Sequence, residues 1–188
     1  TGTFAMASRR TMISNNMYGS NNTGDIALIS GLVLDSVPGD WQLNTSMIIG
    51  DWQDLGLPAG SGSDTIENYR SDNIVVAGNT HMDSGTSPDL SDPLMFGLLL
   101  ELAYNGSPVD SVLYDSIGES MFDSTSASSN TNDNHICVGG ETDGTFASMD
   151  LANQSASAII PFFRPPAPFT PFDCTAVEGS AIQPVTLP

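Results

Sequence analysis

Asp83-Ser84-Gly85-Thr86-Ser87 is the stretch whose residue types are best suited to chemistry. A carboxylate followed by a hydroxyl and a glycine can hold and activate water in a tight turn, provided a second carboxylate shares its proton. The chain contains no second Asp-Thr-Gly or Asp-Ser-Gly, so that partner would have to come from another copy. The preceding Gly78-Asn79-Thr80-His81-Met82 is mostly polar and gives no apolar strand. A turn initiated by Asp83 is the plainer expectation. Asp133, His135 and Cys137 alternate, which on a strand places three potential metal ligands on one face. His81 and Asp83 share that spacing, but neither set forms a zinc signature. The acidic stretches Asp89 to Asp92 and Asn130 to Asn134 offer oxygen ligands without the EF-hand spacing, and solvated acids are expected there. The chain has no Ser-centred elbow, phosphate-binding glycine loop or dinucleotide fingerprint. No catalytic residue, metal ligand or cofactor is assigned from the sequence, and a non-enzymatic protein is expected.

The elements that would position these residues are read first from composition. The chain has 188 residues, 39% of them hydrophobic, which suits one well-buried core. It has 22 acids, no lysine and only Arg9, Arg10, Arg70 and Arg164 as strong bases, for a formal charge of -18. Such a surface repels phosphate backbones, so no direct nucleic-acid binding by the folded body is expected. Charged residues make up only 14% of the chain, and its polarity comes from Ser, Thr, Asn and Gly, which favour turns and sheets. The apolar run Leu94 to Tyr104 is far short of the roughly 20 residues that span a bilayer. The start at Thr1, without an initiator Met or a signal peptide, suggests a processed or excised piece. Cys137 and Cys174 either pair across a sheet in an oxidising compartment or stay as buried thiols.

Three regions are expected. Residues 1–24 read as a polar arm. Residues 25–164 read as a β-rich domain with strands in Asp25 to Leu34, kinked at Gly31, and in Trp41 to Gly50, Asn73 to Ala77, Ile136 to Val138 and Met149 to Phe163. Residues 165–188 read as a Pro-rich strap. Between Ser91 and Gly106, Asp92 as cap, Pro93 at the first position and Gly106 at the end describe a helix, against the alternative of a strand over Phe96 to Tyr104 with an Asn105-Gly106 hairpin turn. Asp123 to Asn134 and Ser61 to Asp64 are expected as exposed loops able to engage a receptor or glycan. Asn21, Asn44, Asn105 and Asn153 each begin an Asn-x-Ser/Thr sequon. Expected core residues are Ile26, Leu28, Leu32, Trp41, Ile48, Val75, Leu98, Leu102, Ile136, Ile159 and Phe162. In the strap, prolines hold the backbone extended, and Phe163, Pro165, Pro166, Phe169, Pro171 and Phe172 are the residues expected to carry assembly, on this chain's own body or on a neighbour.

Two resemblances add expectations. The Asp83-Ser84-Gly85-Thr86 loop resembles the active-site loop of pepsin-like aspartic peptidases, which implies an acid-pH peptidase as the enzymatic alternative. Asp150-Leu151-Ala152-Asn153-Gln154-Ser155-Ala156-Ser157-Ala158-Ile159-Ile160-Pro161-Phe162-Phe163 is similar to a strand in the jelly-roll capsid proteins of picorna-like viruses. It implies an all-β, antiparallel, jelly-roll-like sandwich with one short helix and extended terminal arms. Function is then expected to be that of a viral coat or surface-assembly subunit, bound to copies of itself or related subunits in a virion or extracellular assembly. An extracellular adhesin or receptor-binding β-domain is the alternative.

Overall fold

A computed structural model describes residues 2–44, 65–91, 96–106, 108–151 and 162–174. In chain order its elements are β1 (Thr3–Met6), β2 (Arg9–Ser14), β3 (Met17–Gly19), β4 (Ile26–Ile29), β5 (Gln42–Asn44), β6 (Thr65–Glu67), β7 (Asp72–Ala77) and β8 (Thr80–Met82). There follow α1 (Phe96–Tyr104), β9 (Val112–Tyr114), β10 (Cys137–Gly139), β11 (Phe146–Met149) and β12 (Phe162–Phe163). Strands that correspond in successive turns of the chain stack in parallel. The first ladder is β1-β4-β9-β11, the second β2-β7-β10 and the third β3-β8. Thr3, Ile26, Val112 and Phe146 lie in one register, as do Met12, Val75 and Cys137. The chain therefore winds as a solenoid of parallel coils, each resting on the one before.

This corrects the expected antiparallel jelly-roll sandwich. Among the described strands only β11-β12 and β5-β6 pair antiparallel. The physical reason is the placement of the corners. Residues in the left-handed region recur at matching positions of successive coils. Arg10, Asn73 and His135 have φ of 51°, 53° and 52°; Asn15, Gly78 and Gly140 have 55°, 67° and 66°; Ser20 and Asp83 have 56° and 51°. Each such residue bends the strand into the next ladder instead of reversing it in a hairpin. Asn, Asp and Gly tolerate the conformation best, and they supply five of these eight positions.

The first ladder is buried on both faces. Ile26, Leu28, Val112, Tyr114 and Phe146 point into the coils, while Ala27, Ile29, Leu113, Ala147 and Met149 meet Phe96, Leu100 and Tyr104 of α1. Two covered faces explain continuous apolar runs such as Ile26-Ala27-Leu28-Ile29, in which no alternation is visible. Residues 30–71 and 115–136 connect the first ladder to the second, and residues 83–111 connect the third back to the first.

The expected N-terminal arm, residues 1–24, contains three strands. Residues 3–19 form the first coil, hydrogen-bonded along all three ladders. The helical reading of the α1 segment holds, but Leu102, expected in the core, is 56% exposed because Leu100 and Tyr104 take the inward face. Ile26, Leu28, Val75 and Ile136 are buried as expected, while Leu32, Trp41, Leu98 and Phe162 are half-buried. Ile48 and Ile159 lie outside the described residues, as does most of the expected strand Met149 to Phe163.

The described part of the strap, residues 165–174, lies on this chain's own body. Phe163, Phe169 and Phe172 belong to the core inside the coils. Phe172 packs against Tyr114 and Phe146, and its carbonyl accepts the Val138 N–H at 2.7 Å. Pro165 is buried, Pro166 exposed and Pro171 half-buried. Residues 162–174 thus close the end of the stack, with these three phenylalanines packed on this chain's own core. Cys137 and Cys174 form a disulfide that fastens β10 to the strap.

Candidate functional site

A cluster of ionisable groups is built by three coils. The corner after each strand of the second ladder ends on a polar residue: Asn16, Asn79 and Glu141. Asn79 Oδ1 accepts from the backbone N–H and the side-chain amide of Asn16, both at 3.0 Å. Asn79 Nδ2 donates to the Ile13 carbonyl at 3.0 Å and to Glu141 Oε1 at 3.3 Å. Glu141 Oε2 then lies 2.7 Å from His81 Nε2, and Asp25 Oδ2 lies 2.7 Å from His81 Nδ1. Asp25 Oδ1 accepts from Ser84 Oγ at 2.6 Å and from Asn21 Nδ2 at 2.7 Å. The Tyr18 ring stacks on His81 with centroids 5.6 Å apart, and its hydroxyl is 2.8 Å from Thr3 Oγ1.

This rod runs through the interior: Asp25 is fully buried, His81 is 3% exposed and the Glu141 side chain 1%. Burial alone pushes the His81 imidazole down, but hydrogen bonds to Glu141 and Asp25, together with their charges, outweigh it and raise the group above its ordinary value. The ring is held as an imidazolium with both N–H groups donating to carboxylates. That occupancy limits its chemistry. A general base needs a free ring nitrogen facing a nucleophile, whereas here the Ser84 hydroxyl donates to Asp25 and Nε2 belongs to Glu141. The cluster binds coils together.

The other residues singled out from the sequence are not brought together. Asp83 is exposed at a left-handed corner equivalent to Ser20 one coil earlier, and Ser20 N–H donates to the Met82 carbonyl just before it. Gly85, with φ of 71°, passes so close to Val109 that a Cβ would sit 2.1 Å from its carbonyl oxygen. The Asp-Ser-Gly letters thus serve a coil corner. Cys137 is consumed in the disulfide, His135 is exposed 3.9 Å from Asp72, and the Asp133 carboxylate accepts the Ser120 N–H. Among the described residues no group of three or more His, Cys, Asp or Glu could hold a metal ion, and no helix is long and apolar enough to cross a membrane. Of the sequons, Asn21 has its amide turned inward to Asp25, Asn105 is exposed in a left-handed turn, and Asn44 and Asn153 run into undescribed residues.

The second cluster roots the expected loop Asp123 to Asn134. Glu119 accepts from the Tyr114 hydroxyl at 2.6 Å, the Asp133 N–H at 2.5 Å and Thr131 Oγ1 at 3.2 Å. Asn134 Nδ2 donates to the Tyr114 hydroxyl at 2.6 Å. Within the loop, Asn130 accepts from Asp123 N–H and donates to the carbonyls of Asp123 and Ser126. Its polar tip is therefore shaped before anything binds, with Ser124, Thr125 and Ser128 exposed. Beneath it Asp115 is fully buried and accepts the Ser30 and Ile117 N–H groups. Burial drives Asp115 up to about 7 against those two hydrogen bonds. The other expected recognition loop, Ser61 to Asp64, lies outside the described residues.

Comparisons of the chain with protein-family models, curated proteins and solved structures found no match.

Sequence reasoning paired His81 with Asp83 and passed over Asp25 and Glu141. The signal that could have found them is a long-range repeat. Ile74, Val76, Gly78 and Thr80 recur at one constant offset as Ile136, Val138, Gly140 and Thr142. That alternation aligns His81 with Asp143 and sets Glu141 one coil above Asn79.

Proposed function

We propose that the protein is a non-enzymatic extracellular recognition module, a solenoid scaffold that presents loops to a receptor or glycan. The observation that carries this reading is the gathering of long excursions at one corner. Residues 30–71 and 115–136 both leave between the first and second ladders of neighbouring coils, and their roots are joined by Ser30 N–H to Asp115 and by Asn73 N–H to the Asn134 carbonyl. Insertions that emerge side by side from a repeating scaffold form a composite surface, and loops held by a rigid body are where recognition concentrates. The disulfide suits an oxidising compartment. The coat-subunit expectation was attached to an antiparallel jelly roll that the parallel ladders do not reproduce. The peptidase alternative relied on Asp83, which lies exposed at a left-handed corner.

The test measures saturable binding of labelled protein to an array of defined glycans and to intact cells. Beside it runs a variant with Ser124 to Ser128 replaced by a Gly-Ser segment of the same length. Binding that falls about tenfold or more in the variant while the thermal melt is unchanged is expected. Absence of saturable binding by the parent chain, or equal binding by the variant, overturns the proposal. Acid-pH peptide cleavage that disappears in Asp83→Asn would replace it with the enzymatic reading.

A further inference from the structure

We infer that Glu119 is the positioning residue of the recognition surface: its carboxylate sets the shape in which the 115–136 connection presents Ser124, Thr125 and Ser128, without itself meeting the bound partner. The inference rests on the recognition reading. A carboxylate offers about four acceptor positions, and at Glu119 four donors take them. Oε1 accepts from the Tyr114 hydroxyl at 2.6 Å and the Asn134 N–H at 3.3 Å, and Oε2 from the Asp133 N–H at 2.5 Å and Thr131 Oγ1 at 3.2 Å. Three of these donors lie on the returning limb of the loop, twelve to fifteen residues further along the chain. One side chain on the departing limb thus closes a ring that contains the whole tip.

The ring is anchored in the core below. Tyr114 of β9 is fully buried and Asn134 is buried beside it, its Nδ2 donating to the Tyr114 hydroxyl and to the Ile117 carbonyl. Phe122 and Ala127 pack on the same core. Above Glu119 the two limbs run side by side: the Ser120 N–H donates to Asp133 Oδ2 at 2.7 Å, and the Thr131 N–H to the Met121 carbonyl at 3.1 Å. The exposed hydroxyls stand at the far end of this frame, while Glu119 is half-buried at its base. A loop already ordered in the free protein loses less conformational entropy on binding, so a latch at its base acts on affinity without a contact of its own.

Glu119→Ala, Glu119→Gln and a rescue variant test the inference. The rescue variant adds Ser120→Cys and Thr131→Cys to Glu119→Ala, because those two hydroxyls lie 3.4 Å apart and a disulfide there rejoins the limbs. Two readouts are compared: amide hydrogen exchange, and binding to whichever defined glycan or cell surface retains the parent chain. Glu119→Ala should speed exchange in residues 123–134 about tenfold or more, leave the three ladders protected, and weaken binding about tenfold or more. Glu119→Gln keeps one carbonyl acceptor and should lose less; it carries the test if Glu119→Ala fails to fold. The oxidised rescue variant should regain both slow exchange and binding. Binding lost with unchanged exchange, exchange raised equally in the ladders, or binding not regained on cross-linking overturns the inference, since Glu119 would then touch the partner or act through overall stability. Absence of binding by the parent chain removes the recognition reading and this role with it, whatever the exchange result.

Discussion

At the residue scale the molecule turns on buried charges that answer one another. His81 sits between Asp25 and Glu141, and removing it leaves two carboxylates in the interior with no counter-charge. His81→Ala is therefore expected to cost about 3–5 kcal/mol in urea unfolding, the range for breaking a buried ion pair from one side. A loss below about 1 kcal/mol would show that the carboxylates do not depend on the imidazolium. A second ion pair joins a buried carboxylate to a partly exposed arginine. Asp110 receives the Arg164 guanidinium at 2.7 and 3.0 Å and the Tyr104 hydroxyl at 2.7 Å, which joins the strap to α1. Of these residues the sequence flagged only His81, and it assigned that residue the wrong neighbour, because Asp25 and Glu141 come from other coils.

At the element scale the strap is a lid on the core. Phe169 and Phe172 pack against Phe146, which faces into the coils. Replacing both by Ser should destabilise the chain by at least about 3 kcal/mol, the lower end for truncating one buried Phe. The melting temperature should fall while sedimentation behaviour stays the same. The opposite result, weaker association with an unchanged melt, would move the strap from this core to an interface. The helix was legible because Leu, Ala, Met and Glu are strong formers and Gly106 marks its end. The strands were less legible, since most are three or four residues long and those of the first ladder are buried on both faces. Alternation needs one wet face to become visible.

At the scale of the whole molecule, three buried groups that bind protons share one sign. Asp115, Glu119 and His81 are all raised in the folded state: the carboxyls by burial, His81 by its carboxylate partners against burial. Each binds its proton more tightly folded than unfolded. Its stabilisation is complete below the unfolded pKa and is lost as pH rises through the folded one. Asp89, Asp123 and Asp133 are lowered by hydrogen bonds, and their stabilisation is lost only in acid, below the window in question. Stability should therefore fall between pH 5 and pH 8, by roughly 2–3 kcal/mol from Asp115 alone. Asp115→Asn should flatten that slope, and urea midpoints at the two pH values measure it. A midpoint that rises with pH would contradict the assignment. Composition alone determined that the chain is strongly acidic and rich in residues that favour turns and sheets, because those properties follow from residue counts. It also marked one helix, one polar loop and a Pro-Phe strap, whose signals are local. Whether strands pair parallel or antiparallel is set by corners and connections that bring Thr3, Ile26, Val112 and Phe146 into register across unequal insertions. That choice, the His81 cluster and the face to which the strap binds were decided only by the tertiary structure, because each joins residues that are distant in the chain.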